Sequence, residues 1–288
     1  MNVSIILPTI GRSDEPARLL LSLANQTYRQ FEVIVVDQNP DGRVLPIVRD
    51  FESQFAITYL RSEKGKNRAL NTGLSQCTGE IIAFPDDDCE YPPDVLARVV
   101  SSFSDHPAWH GLAGRCVDAQ GEPSTGRCDM VAGFIGRYDV WRRQTAAALF
   151  LRRELIEVTG PFDEKLGPGA GTPWVGAEEM HYTLRALENG FLLYYDPELL
   201  VYHPQRVVHY DAASAERHFT YGMGVGRCLR IHKYPLSFVL LWWIRPLGGS
   251  VLALLRGNRH RAYYHWKGFE GRFRGWLATR PNANAKPG

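Results

Sequence analysis

The stretch Glu80-Ile81-Ile82-Ala83-Phe84-Pro85-Asp86-Asp87-Asp88 places three adjacent carboxylates directly after a short apolar run. A continuous apolar run of this length is typical of a strand that is buried on both faces of a parallel sheet. Adjacent like charges repel each other, and packing does not require them, whereas a hard divalent cation takes oxygen ligands of this kind. The alternative is a solvated acidic turn before the next helix. The stretch alone leaves both interpretations open.

Strand and helix patterns alternate between the N-terminus and this stretch. We predict strands at 3–7, 31–37, 57–60 and 80–84, and helices at 16–25, 44–55 and 68–77. Such alternation predicts βαβ units and a mostly parallel sheet flanked by helices. In open sheets of this kind ligands bind at the carboxyl ends of the strands, where Asp37 and the three aspartates fall. Their common position favours a functional site over an innocuous acidic turn.

The chain after the aspartates continues with mixed elements. We predict a strand at 146–151, a helix at 153–159, a helix at 177–188 and two short strands at 191–195 and 199–203. Between the helices lies Gly167-Pro168-Gly169-Ala170-Gly171-Thr172-Pro173. A flexible loop of this composition is more often functional than structural.

Composition places the chain among ordinary soluble proteins. It has 288 residues, of which 44% are hydrophobic and 22% charged, so it is long enough to bury a substantial core. Its five cysteines are odd in number and contain no CxxC pair, which argues against a disulfide framework or a zinc site and favours a reducing cytosol. The N-terminus enters a strand pattern without a basic segment or cleavage site, so we expect no signal peptide.

The net charge of +2 conceals a polarity along the chain. Residues 217–288 contain 13 Lys and Arg and a single acid, Glu270, which leaves 33 − 13 = 20 basic and 31 − 1 = 30 acidic residues before them. The basic last quarter predicts an anionic partner, either nucleic acid or a membrane surface.

The apolar stretch Leu236–Leu255 decides between these partners. It is interrupted by Arg245-Pro246 and Gly248-Gly249, so we predict two short helices in the membrane interface rather than one spanning helix. Trp242 and Trp243 would lie at headgroup level, and flanking basic residues between 217 and 275 would contact anionic lipid: Arg227, Arg230, Lys233, Arg256, Arg259 and Arg261. A buried helical hairpin, at a homodimer interface, is the open alternative.

Because the basic residues flank an apolar segment and not an aromatic-studded sheet, we expect no nucleic-acid partner. Residues 281–288 are predicted to be disordered.

Several motifs, in their order along the chain, resemble family 2 glycosyltransferases. The segments 3–9, 35–37, 65–68, 71–73 and 79–88 resemble the nucleotide-sugar-binding half of that family, and 160–164, Glu178-Glu179, Arg185, Gly190 and 201–203 resemble its acceptor half. The resemblance implies a GT-A fold, Mn²⁺ or Mg²⁺, and an inverting transfer from a nucleoside diphosphate sugar. It places a glycosyltransferase domain at 1–215, with halves 1–115 and 116–215, followed by a basic helical extension at 216–280.

The resemblance also assigns residues on the donor side. It implies donor contacts from these residues: Pro8, Thr9, Asp37, Arg68, Asp86 and Asp87. Asp88 would bind the metal directly, with Asp86 and His203 as further ligands, and Asp87 is the most replaceable aspartate. The structural alternatives are a turn or N-cap role for Asp37, a surface position for Arg68 and a structural role for His203. Leu70 departs from the family pattern, because a second arginine often stands there.

On the acceptor side, Glu179 occupies the position of the catalytic acid residue, and we predict that it is the general base. A helix-start acid stabilised by the helix dipole is the alternative. Glu178 would support acceptor binding, and Trp174 would stack on a sugar unless it is a core residue.

The sequence therefore predicts a metal-dependent inverting glycosyltransferase on the inner face of the cytoplasmic membrane. Its acceptor would be polyprenyl-linked or another surface polysaccharide. The alternative is a non-catalytic nucleotide-sugar-binding scaffold of a polysaccharide assembly.

Overall fold

The computed structural model describes residues 1–205 and 207–278. Their contacts divide them into two units. The sheet unit comprises 1–163 and 182–205, and the helical unit comprises 164–181 and 207–278. Residues 164–181 and 207–215, which we predicted within the 1–215 domain, therefore group with the C-terminal helices. The segment 281–288, predicted to be disordered, lies outside the described residues.

Eight strands and nine α-helices are present in the described part of the chain. The strands are β1 (Val3–Thr9), β2 (Phe31–Asp37), β3 (Ala56–Arg61), β4 (Ile81–Ala83), β5 (Gly111–Val117), β6 (Gly133–Phe134), β7 (Leu149–Arg152) and β8 (Leu193–Tyr202). The helices are α1 (Asp14–Ala24), α2 (Leu45–Phe51), α3 (Lys66–Leu74), α4 (Val95–Asp105), α5 (Arg153–Thr159), α6 (Glu178–Glu188), α7 (Ala212–Ile231), α8 (Leu236–Leu255) and α9 (Arg259–Leu277). The predicted strand at 146–151 begins later, because Ala146–Ala148 form a 3₁₀ turn.

All eight strands form one mixed sheet in the order β3-β2-β1-β4-β7-β5-β8-β6. The first four strands are parallel to one another, while β7 is antiparallel to both of its neighbours, β4 and β5. Every residue of β1 is buried, which explains the continuous apolar run of its sequence. The predicted mostly parallel sheet with flanking helices is confirmed.

A hydrogen-bond network holds the turn before β4 and fixes where this strand begins. The Ser4 hydroxyl donates to the Glu32 carboxylate at 2.6 Å and accepts from the backbone N–H of Gly79 at 2.8 Å. Glu32 also accepts from the backbone N–H and the hydroxyl of Thr78. A side chain at Gly79 would approach the Ser4 nitrogen to 2.5 Å, so only glycine fits this close approach. The network thereby positions the strand that carries the three aspartates.

The structure corrects the prediction of two short strands at 191–195 and 199–203. They form one strand, β8, whose pairing with β5 shifts between Ala113 and Arg115. The extra residues of β8 bulge at this point, and the Arg115 guanidinium donates to the Pro197 carbonyl at 3.1 Å. A side chain at Gly114 would collide with the Leu199 carbonyl, so glycine allows the two strands to stay paired across the bulge.

The prediction of two short helices at 236–255 was also wrong, because α8 is continuous over its 20 residues. Pro246 lies inside the helix on its buried side, and the Ser250 hydroxyl donates to the Ala262 carbonyl of α9 at 2.9 Å. Packing along α9 supports the helix across the interruption that the sequence suggested. By length and composition alone, α8 is the one helix among the described residues that could cross a membrane. Only 22% of its most apolar 18-residue segment is buried.

Helices α7 and α9 pack with their backbones in contact. Gly222 and Gly226 of α7 face Gly268, Gly271 and the backbone of Arg272 in α9. A Cβ atom on Gly226 would lie 2.7 Å from the Trp276 nitrogen, a distance that requires the helices to move apart. This close packing therefore requires small residues on both helices.

We expect Gly226→Ala to lower the free energy of unfolding by about 1–3 kcal/mol, because the added methyl overpacks a backbone contact. Gly248→Ala is the matched control: it also lies inside a helix, but its Cβ meets nothing within 4 Å. Alanine is the better helix former by about 1 kcal/mol, so the control should be neutral or stabilising. Thermal unfolding of the purified variants measures both, and equal midpoints would contradict the backbone contact.

Candidate active site

The acidic run lies at the carboxyl end of β4, inside the sheet unit. Asp86 and Asp88 are half-buried and Asp87 is buried. The ends of β1 and β2 contribute Thr9 and Asp37 at the same edge of the sheet, since β1 runs parallel to β4 and beside it, and β2 runs parallel to β1. The predicted convergence of these strand ends is therefore present.

Arg12 neutralises two of the three carboxylates. Its Nη1 contacts Asp87 Oδ1 and lies 2.9 Å from Asp88 Oδ2. Burial opposes the charged form of Arg12, but the charges of Asp87 and Asp88 outweigh it, so the pKa of Arg12 is raised. We did not predict this role from the sequence. The available signal was a basic residue in the turn directly after the first strand.

Asp87 connects two loops of the site. Its Oδ2 accepts a hydrogen bond from the Thr9 hydroxyl at 2.8 Å, while Oδ1 contacts Arg12. Burial raises the pKa of Asp87, against the opposing effects of Thr9 and Arg12. The side chain we predicted to be most replaceable is thus the most enclosed aspartate of the run, and it ties the end of β1 to the end of β4.

Lys66 forms an ion pair with Asp86, the third carboxylate of the run. It follows Gly65, whose φ of 143° is accessible to glycine, and its Nζ lies 2.7 Å from Asp86 Oδ1. Burial opposes ionisation of Asp86, yet Lys66, His203 and Arg12 together lower its pKa. Arg68, which we predicted for the pyrophosphate, pairs with Glu63 at 2.7 Å on the surface, and its contact with the pyrophosphate stays a prediction. Of the two basic residues in α3, Lys66 is the one at the acidic run.

His203 follows the end of β8 and meets the same carboxylates. Its Nε2 lies 3.5 Å from Asp88 Oδ1, and its backbone N–H donates to the Val117 carbonyl at 2.9 Å. Its Nδ1 is buried and has no hydrogen-bond partner among the described residues. The ligand atoms of Asp86, Cys89 and His203 lie within 4.8 Å of one another. The turn after β4 and the end of β8 therefore bring potential metal ligands together.

These groups fit a divalent metal through two carboxylates and one imidazole. Mn²⁺ and Mg²⁺ prefer oxygen ligands, and Mn²⁺ also accepts an imidazole. Cys89 fits less well, because burial raises the pKa of its thiol well above the ordinary value and the thiolate is the ligand form. Asp86, Asp88 and His203 are therefore the ligand set that this chemistry favours.

Asp37 organises the loops beside the acidic run. Its side chain is fully buried; Oδ1 accepts from the backbone N–H and the side-chain amide of Asn39, at 2.8 and 2.7 Å. Oδ2 accepts from the Tyr59 hydroxyl at 2.7 Å. Burial and this hydrogen bond raise the pKa of Tyr59 to about 12. Asn39 in turn accepts from the Gly11 backbone N–H at 2.6 Å, so Asp37 links the loops after β1 and β2.

Glu178 and Glu179 open α6 and lie in the helical unit. Carboxylates are stabilised in the first turn of a helix, where the macrodipole is positive. The preceding residue, Ala177, has a left-handed φ of 61°, which costs a non-glycine residue about 1–2 kcal/mol. Glu178 is buried against Gly167, whose Cβ would lie 3.3 Å from the Glu178 Cδ. Strain of this kind concentrates at functional sites, and here it precedes the predicted base.

Trp174 is a core residue of the helical unit in this structure. It is 3% exposed and clusters with Leu166 and Met223. The Arg227 guanidinium carbon lies 4.7 Å from the centroid of its ring. The position matches the core alternative for this tryptophan, and its contact with an acceptor stays a prediction.

Comparison with known proteins identifies the family. The model for "Glycosyl transferase family 2" matches residues 4–145. The glycosyltransferase AglE of Haloferax volcanii is 27% identical over 254 residues, which cover 84% of this chain and 79% of AglE. A GalNAc(5)-diNAcBac-PP-undecaprenol beta-1,3-glucosyltransferase of Campylobacter jejuni is 27% identical over 119 residues, 40% of this chain and 38% of that protein. This chain also spans 43% of the pre-mycofactocin glycosyltransferase of Mycobacterium tuberculosis.

Solved structures share the fold. The mannosyltransferase PcManGT from Pyrobaculum calidifontis, in complex with GDP-Man and Mn²⁺, superposes with a TM-score of 0.62 over 95% of this chain and 86% of its own. Its sequence identity is 19%, so this likeness concerns the fold alone. The family match and the relatives confirm the resemblance seen in the motifs and favour an enzyme over a non-catalytic scaffold. Residues 4–145 therefore form a glycosyl transferase family 2 domain, and the chain is a transferase with the GT-A fold.

Proposed function

We propose that the enzyme is metal-dependent and inverting, and that it moves one sugar from a nucleoside diphosphate sugar to a polyprenyl-linked or other surface-polysaccharide acceptor. The observation that carries this proposal is that Asp86 and His203 bring ligand atoms within 4.8 Å of each other at one edge of the sheet, while Asp88 Oδ1 lies 3.5 Å from His203 Nε2. Carboxylates and an imidazole in this arrangement are suited to a divalent cation beside a diphosphate.

On the donor side, Asp86, Asp88 and His203 would hold Mn²⁺ or Mg²⁺. When bound, the metal supplies positive charge for the departing nucleoside diphosphate. Lys66 and Arg12 add positive charge from the protein, because both already lie at the carboxylates. Further donor contacts belong to this proposal and come from these residues: Pro8, Thr9, Asp37, Arg68 and Asp87. The rigid loops that Asp37 and Asp87 tie together would present such contacts with little loss of entropy.

On the acceptor side, Glu179 would take the proton of the attacking hydroxyl. Inversion by a single displacement needs a base on the face opposite the leaving group. A base must be ionised before it acts, and the N-terminus of α6 stabilises the carboxylate form. Glu178 would orient its neighbour, and Trp174 would contact an acceptor sugar after rearrangement of its loop.

The helical unit supports a peripheral position on the inner face of the membrane. Helix α8 packs along α9, which carries six charged residues: Arg259, Arg261, Lys267, Glu270, Arg272 and Arg274. If α8 crossed the bilayer, these charges would be drawn towards hydrocarbon at a high cost. An interfacial position keeps these charged side chains in contact with water and brings the enzyme to a lipid-linked acceptor. The Campylobacter relative is named for such an acceptor, an undecaprenol diphosphate.

Replacing Asp88 with Asn should abolish Mn²⁺ binding and lower metal-dependent transfer by roughly 10²–10⁴-fold, because the ligand charge and its share of transition-state stabilisation are lost. Asp41→Asn is the matched control, since Asp41 is exposed and pairs with Arg43 away from the acidic run. Electron paramagnetic resonance of Mn²⁺ and donor turnover measure the two effects. Unaltered turnover in Asp88→Asn would remove the metal role from this residue.

Replacing Glu179 with Gln should lower transfer by about 10²–10⁴-fold while donor binding is retained, because the amide cannot accept the acceptor proton. Glu188→Gln, at the opposite end of the same helix, changes the same chemical group on the exposed surface. Turnover and donor affinity are measured with a panel of nucleotide sugars, of which one should bind selectively. Full activity of Glu179→Gln would place the base elsewhere.

A further inference from the structure

The helical unit contains a surface pocket where α7 ends and α9 ends. Its volume is about 400 Å³, and it is lined by Leu229, Arg230, Lys233, Tyr234 and Trp276. The pocket therefore combines two cations with a buried apolar floor, since Leu229 and Tyr234 are 0% and 5% exposed. No proposed donor or acceptor contact involves these residues.

The two cations of the pocket have no carboxylate partner among residues 1–205 and 207–278. The Arg230 guanidinium carbon lies 4.7 Å from the centroid of the Trp276 ring, a contact that orients the side chain. Lys233 lies in the turn after α7 with a left-handed φ of 50°. Basic residues at a helix C-terminus often serve the helix dipole alone. That role does not require a pocket or an aromatic support for the guanidinium.

An apolar stripe begins three residues after Lys233. We define it by exposed residues of α8 at helical spacing: Leu236, Leu240, Leu241, Ile244, Val251, Leu252 and Leu255. A helix of 20 residues extends over about 30 Å, so the apolar stripe is long. The opposite side of α8, with Val239, Ser250 and Ala253, is buried.

The charges around the apolar stripe identify what covers it. Between 207 and 278 there are 11 Lys and Arg against three acids, Asp211, Glu216 and Glu270. Cations lie at both ends of α8, with Arg230 and Lys233 near its start and Arg256 and Arg259 after its end, and the exposed Arg245 lies at its middle beside the apolar stripe. A second copy placed antiparallel on the stripe would bring these cations together, whereas an anionic lipid surface complements them.

We propose that the pocket binds the phosphate group of an anionic phospholipid headgroup, while the apolar stripe rests in the acyl region of the same leaflet. This inference rests on the proposed peripheral position and adds to it a specific site. Arg230 and Lys233 would supply charge-assisted hydrogen bonds to the phosphate, and Trp276 would lie at the headgroup level. The site would fix the depth and the rotation of α8 at the membrane.

The direct test is calorimetric titration of the full chain with dihexanoyl phosphatidylglycerol below its micelle concentration. We expect saturable binding that falls by about tenfold or more in Arg230→Gln/Lys233→Gln, because both charge-assisted contacts are removed. The matched control, Arg256→Gln/Arg259→Gln, removes the same charge outside the pocket and should bind like the wild type. Equal losses in both double variants would overturn the pocket, since only net charge would then matter.

Two further measurements distinguish lipid recognition from simple anion binding and from membrane attachment without the pocket. Inorganic phosphate should bind much more weakly than the short-chain lipid; equal affinity would show an anion site without lipid recognition and overturn the proposal. Flotation of the full chain with vesicles of phosphatidylcholine and phosphatidylglycerol tests the peripheral position separately. Flotation without short-chain lipid binding would refute the pocket and leave the peripheral position intact, and loss of both would refute the two together. Thermal unfolding of each variant confirms that it is folded.

Discussion

Charge balance at the carboxyl edge of the sheet is the constraint on which the site depends. Unit charges about 4 Å apart interact by roughly 4 kcal/mol near a protein surface, so three adjacent carboxylates beside a buried strand need compensation. Arg12 supplies it to Asp87 and Asp88, and Lys66 supplies it to Asp86. The fold therefore holds its own cations where a metal and a diphosphate would bring more charge. On the proposed function, donor binding would redistribute these ion pairs, and the protein's cations would then be available to the phosphates.

The sheet places these paired charges at an edge where several loops meet. Parallel strands end at one edge, so the loops after β1, β2 and β4 meet without any need for long connections. Asp87 connects the ends of β1 and β4 directly, and Asp37 connects the loops after β1 and β2 through Asn39, so this edge is held in place by hydrogen bonds. The Ser4–Glu32 network performs the same task from the opposite end of the sheet by fixing the turn that enters β4. Rigid support of this kind is what precise placement of ligands requires.

Local sequence patterns were sufficient to predict the parallel half of the sheet and the family, because a buried strand or a motif can be recognised from one segment alone. The pairing of charged side chains could not be predicted from single segments. Arg68 matched a family position but pairs with Glu63 on the surface, while Lys66, two residues earlier, meets Asp86. A shift of two residues on a helix changes the face on which a side chain lies, and only the packed structure decides it.

Two elements show why long-range packing overrides local signals. Asp196-Pro197 suggested a break between strands, but β5 continues to pair with β8 across the bulge. Arg245-Pro246 suggested a break between helices, but contact with α9 keeps α8 continuous. In both cases the partner element supplies the hydrogen bonds or contacts that the local sequence lacks. Neither partner is adjacent to the interruption in the sequence, so single-segment patterns could not reveal it.

The assignment of Asp86, Asp88 and His203 as the metal ligands of a diphosphate site can be tested by spectroscopy. The measurement is electron–nuclear double resonance of Mn²⁺ bound to the full chain, with ¹⁵N-labelled histidine and a nucleoside diphosphate. We predict coupling to one imidazole nitrogen and to phosphorus, with the nitrogen coupling lost in His203→Gln. Bound Mn²⁺ with phosphorus coupling but no histidine coupling would contradict the ligand set.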